Sequence, residues 1–499
     1  MKIITKNSAV WQYVALTIAW ALLIGAIYFG AWTVGHTETG NGDNVEHLHA
    51  TWLVAWGKVP YKDFFQHHNP LMWYIFAPLI KYNFNVITLL NMAHAIGMIA
   101  GALIFFIAYL ICRKFFKVSC LATLTSLITL CPPYYYIFCF NYNPDTFMAL
   151  AFVLGLYFLF AYFDKQQLYT LCTAFFCFFA AFLFTQKILV PLFALGIICL
   201  YWFYRQKTPL NHILYALYLP FVGALLFISW LYYHDMFEIY WKSNYEFNIV
   251  MQDFYGNEKI NIIDYHKLYF TVAITFLGII WNWKASNKFY KAVALLFVFE
   301  FLQRFFYFSI APYYLLPLMI YISILNSVFF DKLFNKYFFL VYLFLGVGAY
   351  YVYMSPGFYL SVRNNNRSFA RFLSQNITPC DYIISSYMGS QSIANKDPYY
   401  YWAILGHVDM AAEKIGLPPH PNISLLVEQY KPKLIFGGVY WSSYDLHRGR
   451  SVPVQQVDRG LLDKYYLPTQ FPDFYVLKYE YRHKICQFDK KKGEWLYAD

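Results

Sequence analysis

GDNVEHLHATWLVAWGKVPYKDFFQHHNPLMWYIFAP, residues 42–78, is a polar and titratable stretch between the first two long apolar runs of the chain. It contains two Asp, one Glu and four His among Trp, Tyr and Phe. Ionisable groups held beside membrane segments are costly to desolvate, and they typically mark a functional site. The stretch therefore predicts a membrane protein whose chemistry takes place at the edge of the bilayer.

The composition is that of a polytopic membrane protein. Of 499 residues, 60% are hydrophobic and 13% are charged, which is about half the charged share of a soluble protein. The formal charge of +11 comes largely from Lys and Arg in short loops, so we expect no nucleic-acid partner. Apolar runs predict about eleven transmembrane helices, centred on residues 11–32, 86–111, 118–139, 146–163, 171–184, 188–203, 212–232, 268–283, 291–308, 312–330 and 337–354.

Basic residues occupy alternate loops, which predicts the orientation of the chain. The positive-inside rule places these loops in the cytoplasm. The opposite loops, beginning with residues 33–85, then face the periplasm or an equivalent space, as do all residues after 355. We therefore expect an integral protein of the bacterial inner membrane with a cytoplasmic N-terminus and a periplasmic C-terminal domain.

Residues 355–499 predict a small soluble α/β domain after a transmembrane domain of residues 1–354. Charged residues, Pro, Asn and Ser return in this part of the chain. The pattern predicts strands within residues 381–386, 433–437 and 474–481, and a helix over residues 423–430. Cys380 and Cys486 could pair if the domain lies in an oxidising space.

Asp43 has two interpretations that the sequence leaves open. Residues 44–56 predict an amphipathic helix, for which Asp43 would be the N-cap and Glu46 its capping-box partner. That structural role alone could account for both carboxylates. Alternatively, Asp43 is a general base that takes a proton from an acceptor hydroxyl or amine.

Other ionisable residues fall on the same predicted outer face. Asp145 opens a helix, Lys187 lies in a very short outer turn, and Arg304 lies near the outer end of a helix. Lys187 could instead extend its ammonium to the membrane interface. Arg304 could instead neutralise Glu300, which lies four residues before it on the same helix face.

The pair His67–His68 is a candidate for binding phosphate or for simple hydrogen bonding. A divalent metal could be held by these imidazoles with Asp63 or Glu46. Adjacent histidines rarely share one ion, however, so we predict no metal site. Asp63 is a further candidate for substrate binding, although it could only cap its own loop or pair with Lys62.

An ordered set of motifs resembles bacterial glycosyltransferases of the GT-C superfamily, in the branch of the protein O-mannosyltransferases and lipid A aminoarabinose transferases. The set spans most of residues 10–330, and it comprises Asp43 with Glu46, GKVPYKDFFQHHNP at Gly57–Pro70, Asn143-Pro144-Asp145, Thr185-Gln186-Lys187, and Arg304 followed by Tyr313-Tyr314-Leu315-Leu316-Pro317.

The resemblance implies an enzyme that moves a sugar from a polyprenyl phosphate carrier to an acceptor, usually with inversion at the anomeric carbon. It implies Asp43 as the base, with Glu46 beside it, and Asp145 as a second acidic residue near the substrates. Lys187, Arg304 and His68 are implied to hold the lipid phosphate, and the carrier-linked sugar is the only cosubstrate expected.

Two departures leave the acceptor open among proteins, lipids and glycans. The protein O-mannosyltransferases carry adjacent Asp and Glu in this loop, whereas two residues separate Asp43 from Glu46. The aminoarabinose transferases carry Lys before the prolines of the loop, where this chain has His67-His68-Asn69-Pro70.

A transporter or flippase of lipid-linked sugars is the alternative from another class. A transporter is expected to carry charges near the middle of the membrane and broken helices in both halves. Here the charges gather on one face, which disfavours transport. A glycan polymerase or ligase is a second alternative, and an Arg-rich outer loop would favour it, but residues 233–267 contain no Arg.

Overall fold

The computed structural model divides into two compact units. The first unit comprises residues 1–34, 94–225 and 258–361, and the second comprises residues 35–93, 226–257 and 362–499. The predicted division at residue 354 stays a prediction. The structure describes residues 6–36, 42–129, 139–255, 266–284, 286–303, 316–360, 366–384, 394–397, 399–401, 406–418, 422–436, 440–445, 450–455, 457–471, 473–481, 485–489 and 494–498.

Long apolar helices dominate the described part of the chain, as the hydropathy pattern predicts. They are Lys6–His36, Val86–Phe115, Cys120–Thr129, Pro144–Lys165, Leu168–Phe184, Leu189–Gln206, Leu210–Tyr233, His266–Asn282, Lys288–Gln303, Leu316–Lys336 and Leu340–Leu360. Among the described residues, six segments are long and apolar enough to cross a membrane by length and composition. The chain is therefore an integral membrane protein, and the number of about eleven spans stays a prediction.

The first unit contains a close contact that the sequence analysis did not single out. Gly97 and Gly101 lie one helical turn apart on the Val86–Phe115 helix and face Cys139–Asn141. A β-carbon at Gly97 would lie 2.3 Å from the carbonyl oxygen of Phe140, and one at Gly101 would lie 2.4 Å from the Phe140 ring. Small residues four apart allow this kind of close approach in membrane proteins. The contact fixes the segment that leads to Asp145.

The second unit gathers three parts of the chain. Its first part carries the Gly42–Ala55 helix, close to the predicted bounds, and the Leu71–Ile80 helix, which the sequence analysis did not predict. Its second part contains Phe237–Trp241, a π-helical turn at Lys242–Glu246, and Phe247–Tyr255. Its third part has the helices Asn366–Asn376, Gly406–Lys414, Ile423–Tyr430 and Arg459–Tyr465.

The third part also contains a four-stranded sheet, which confirms the predicted small α/β portion. Its strands follow the order Ile383–Ile384, Leu434–Phe436, Phe474–Leu477 and Tyr466–Pro468. The first two strands are parallel, and the other pairs are antiparallel. Buried aliphatic side chains, including Ile384, Ile423 and Ile435, pack the helices on the sheet. Two hairpins complete the described strands, formed by Tyr440–Asp445 with Arg450–Gln455 and by Ile485–Asp489 with Glu494–Ala498.

A disulfide joins Cys380 to Cys486, the pair that the sequence suggested. The bond attaches the hairpin of Ile485–Asp489 and Glu494–Ala498 to Cys380, three residues before the first strand of the sheet. On that hairpin, the ring of Trp495 packs edge-on against Trp56 and Phe84, with centroid distances of 5.3 and 4.7 Å. The disulfide therefore secures a hairpin that also contacts the end of the Gly42–Ala55 helix.

Candidate active site

The predicted site residues fall in both compact units. Asp145 and Lys187 belong to the first unit, and the candidates in residues 42–70 belong to the second. Arg304 lies outside the described residues. Glu300, its alternative partner, is described and is buried at 2% exposure.

Asp145 lies in the first turn of the Pro144–Lys165 helix. Asn143 is the N-cap, and its Oδ1 accepts hydrogen bonds from the backbone N–H and the hydroxyl of Thr146, each at 2.9 Å. Pro144 occupies the first helical position, where a missing N–H costs nothing. The free N–H groups of the first turn and the helix dipole stabilise a carboxylate at this position.

Lys187 forms an ion pair with Asp145. The lysine lies in a single 3₁₀ turn, Gln186–Ile188, whose start is capped by the hydroxyl of Thr185. Its Nζ lies 3.2 Å from Asp145 Oδ2 and 3.4 Å from Oδ1. The Asp145 side chain is 2% exposed and that of Lys187 is 24% exposed. The ammonium is therefore held at a defined position by a buried carboxylate.

Asp43 and Glu46 lie on the Gly42–Ala55 helix. Asp43 is a first-turn residue of this helix and is half-buried, so the helix begins slightly earlier than predicted. Glu46 is buried, and its Oε1 accepts a hydrogen bond from Gln66 Nε2 at 3.1 Å. Glu46 is thus tied to the QHHNP turn, residues 66–70. The roles of Asp43 and Glu46 in catalysis stay predictions.

The QHHNP turn is fixed by one nearby tyrosine and by two side chains distant in sequence. Tyr61 Oη donates to the carbonyl of His68. Asn248 Nδ2 donates to the carbonyl of His67 at 3.1 Å, and Tyr240 Oη donates to Asn69 Oδ1 at 2.8 Å. Burial raises the pKa of the Tyr61 phenol well above its ordinary value, and burial also raises the pKa of Tyr240. Both phenols are therefore neutral donors at physiological pH.

Three imidazoles cluster around this turn. The rings of His67 and His68 are 4.2 Å apart between centroids, and His47 lies 5.2 Å from His68. Trp73 stacks near His47 at 6.2 Å. Within the described residues, no group of three or more His, Cys, Asp or Glu side chains has the arrangement to hold a metal ion.

Asp63 has a local structural role. Its side chain accepts a hydrogen bond from the backbone N–H of Val59 at 2.6 Å, and the residue is exposed. This contact matches the capping alternative raised by the sequence. Its part in substrate binding stays a prediction.

Within the second unit, residues of the C-terminal part contact residues 42–70 directly. His49 Nε2 lies 2.8 Å from Asp397 Oδ2, with both side chains largely buried. The N–H of Phe65 donates to the carbonyl of Tyr400 at 2.7 Å, and Tyr400 Oη donates to the carbonyl of Tyr61 at 2.7 Å. Sequence reasoning missed these residues because no local pattern links positions more than 300 residues apart.

Comparison with known proteins gives the fold. No protein-family model matches the sequence, and no curated protein matches it. Two crystal structures of ArnT from Cupriavidus metallidurans are similar to this structure. The apo state has a TM-score of 0.57 at 11% identity, with 86% of this chain and 93% of that chain covered. The structure bound to undecaprenyl phosphate has a TM-score of 0.56 at 12% identity, with 85% and 92% covered. The GT-C type of fold predicted from the sequence is confirmed.

Proposed function

We propose that this chain is a membrane glycosyltransferase that moves a sugar from a polyprenyl phosphate carrier to an acceptor. One observation carries the proposal. The fold matches a structure of ArnT bound to undecaprenyl phosphate over 85% of this chain and 92% of that chain. A likeness of that extent supports a shared type of fold over most of both chains.

The Asp145–Lys187 pair supports recognition of the carrier phosphate. An ammonium binds phosphate oxygens as a point charge. Asp145 holds the ammonium at a defined position, and the Lys187 side chain is 24% exposed. When the phosphate leaves the sugar, the negative charge that develops is stabilised by cations already in position. We assign Lys187 to that role, and the roles of Arg304, His67 and His68 in phosphate binding stay predictions.

Asp43 is the proposed general base. Its carboxylate takes the proton from the acceptor hydroxyl or amine as that atom bonds to the anomeric carbon. The bond between the anomeric carbon and the phosphate oxygen breaks in the same step, and its electron pair leaves with the phosphate. Inversion follows, because the acceptor attacks from the side opposite to the leaving group. A carboxylate in the first turn of a helix is rigidly placed for this task.

The Cys380–Cys486 disulfide supports a periplasmic location for the C-terminal residues. Disulfides persist in oxidising compartments and are rare in the reducing cytosol. The first outer loop contacts these residues within one unit through His49, Asp397 and Tyr400. The proposed reaction therefore takes place on the periplasmic side of the inner membrane.

Binding of two lipids that differ only in the phosphate tests the donor assignment. Purified full-length protein in detergent is titrated with undecaprenyl phosphate and with undecaprenol, and binding is followed by native mass spectrometry. We expect preference for the phosphorylated lipid. Equal affinity for the two lipids would remove the proposal.

Transfer itself is tested in a strain that lacks the gene. Mass spectrometry of its envelope glycans, lipids and proteins should show a lost sugar modification, which would also identify the acceptor. Complementation with the wild-type chain should restore the modification, and complementation with Asp43→Asn should not. An unchanged envelope would contradict the proposal.

A further inference from the structure

The segment Phe237–Tyr255 holds the QHHNP turn by side-chain hydrogen bonds. Tyr240 Oη donates to Asn69 Oδ1 at 2.8 Å, and Asn248 Nδ2 donates to the carbonyl of His67 at 3.1 Å. Tyr240 is 5% exposed and Asn69 is fully buried. Each bond ties an atom of the turn to the segment Phe237–Tyr255, so both constrain the conformation of the turn.

The π-helical turn gives this segment a continuous polar face. Tyr240, Asn244 and Asn248 recur every four residues across Lys242–Glu246. Asn244 Nδ2 donates to the carbonyl of Tyr240 at 3.2 Å, and Asn248 Nδ2 donates to the carbonyl of Asn244 at 2.8 Å. Single π-helical turns occur frequently at functional sites. Here the turn directs two side-chain donors toward the same short loop.

The ring of His67 is held by apolar neighbours from two elements. Phe65 stacks beside it with centroids 6.0 Å apart, and Phe247 lies 5.6 Å away. Phe247 is buried and immediately precedes Asn248. One segment thus fixes both the backbone of His67, through Asn248, and its imidazole, through Phe247. The adjacent His68 has its carbonyl bound by Tyr61.

We propose that Tyr240 and Asn248 are positioning residues that orient the imidazoles of His67 and His68 for binding the carrier phosphate. The inference rests on the proposed function and names two residues that neither the motifs nor the resemblance indicated. Tyr240 and Asn248 act by preorganising the two imidazoles before the ligand binds. A binding group held by its supporting residues in the productive geometry loses less freedom when the ligand binds.

The test measures phosphate discrimination, defined as the ratio of the dissociation constants for undecaprenol and undecaprenyl phosphate. Tyr240→Phe removes only a hydroxyl, since its ring keeps its packing against Tyr61 and Phe227 at 5.3 and 5.4 Å. Asn248→Leu removes the amide at similar volume. We expect each variant to lower discrimination by about five- to tenfold. Tyr232→Phe is the matched control, because Tyr232 is 63% exposed, and it should leave the ratio unchanged.

A double-mutant cycle separates positioning from a general structural role. If Asn248 acts through His67, Asn248→Leu should have no further effect on discrimination in a His67→Ala background. Additive losses would overturn the inference, and so would variants that lose thermal stability but keep wild-type discrimination. If the wild-type protein itself does not discriminate between the two lipids, the proposed function fails. If it does, and Tyr240→Phe and Asn248→Leu discriminate equally well, only the positioning role fails.

Discussion

Lys187 and Asp145 form an ion pair across 42 residues of sequence, with Nζ 3.2 Å from Oδ2. The carboxylate is buried at the N-terminus of a helix, whereas the lysine lies in a three-residue turn. Two unrelated local structures therefore place opposite charges together. The pair explains why a lysine in a short turn next to two apolar helices is held at a defined position.

Removing the lysine alone should destabilise the protein. Lys187→Ala leaves the buried Asp145 carboxylate without its ion-pair partner, which we expect to cost about 3 kcal/mol of unfolding free energy. Lys187→Arg should retain most of the stability. The measurement is reversible unfolding in mixed micelles.

The double variant Asp145→Asn/Lys187→Met serves as the control for this pair. It removes both charges together, so it should recover much of the stability that Lys187→Ala loses. Its affinity for undecaprenyl phosphate should nevertheless stay low, since no ammonium is left. Wild-type affinity in the double variant would contradict the assignment of Lys187 to the phosphate.

Asp43→Asn should stop sugar transfer while the protein still folds. Loss of a general base lowers the rate by about 10²- to 10⁴-fold. Loss of the first-turn charge should cost less than about 1 kcal/mol of helix stability. Transfer rate and thermal unfolding are measured on the same purified samples.

Asp235→Asn provides a matched substitution for Asp43→Asn. Asp235 is exposed and has a φ of 58°, a left-handed conformation that Asn also tolerates. We expect full activity from this variant. Equal activity in both variants would exclude Asp43 as the base.

Elements with a local cause could be predicted from the sequence, whereas contacts between distant residues could not. The Ile423–Tyr430 helix and the Leu434–Phe436 strand lie where hydrophobic periodicity places them. Asn143 caps the helix that begins at Pro144, and this contact also depends only on residues close in sequence. The bond from Tyr240 to Asn69 joins positions 171 residues apart, so no periodic pattern of hydrophobic residues predicts it.

The sequence also did not determine the interaction partners of individual polar residues. The alternatives for Lys187, a phosphate ligand or an interface residue, did not include its pairing with Asp145. Capping motifs predict only contacts within a turn, whereas Asp145 begins the Pro144–Lys165 helix and Lys187 follows the next helix, Leu168–Phe184. The Cys380–Cys486 pair could be suggested because these two cysteines stand apart from the apolar runs.

The Cys380–Cys486 disulfide should be essential for the stability of the C-terminal part. A cross-link between residues 106 apart stabilises by about 5 kcal/mol in the chain-entropy model. Cys486→Ser should therefore speed limited proteolysis of residues 366–498, whereas Cys172→Ser, at a free cysteine in the apolar helix Leu168–Phe184, should not.

The Cys380–Cys486 disulfide also allows a test of the side of the membrane on which the C-terminal part lies. Peptide mapping of membranes under non-reducing conditions should recover the Cys380 and Cys486 peptides as one linked species. After reduction of intact spheroplasts, a membrane-impermeant maleimide should label both cysteines. Free thiols before reduction, with no labelling from outside afterwards, would place the C-terminal part in the cytoplasm.

Gly97→Ala should disturb the approach to Asp145 without touching any ionisable group. The added methyl would lie 2.3 Å from the carbonyl oxygen of Phe140, and a backbone atom cannot move aside cheaply. Overpacking of this kind costs about 1–3 kcal/mol. We expect lower thermal stability and a reduced transfer rate, because Asn143 and Asp145 follow Phe140 closely in the chain.

Gly196→Ala is the control, since no atom lies within 4 Å of its β-carbon position in the Leu189–Gln206 helix. That substitution should stabilise the helix by up to about 1 kcal/mol. Equal stability of the two variants would mean that the Gly97 contact does not support the site.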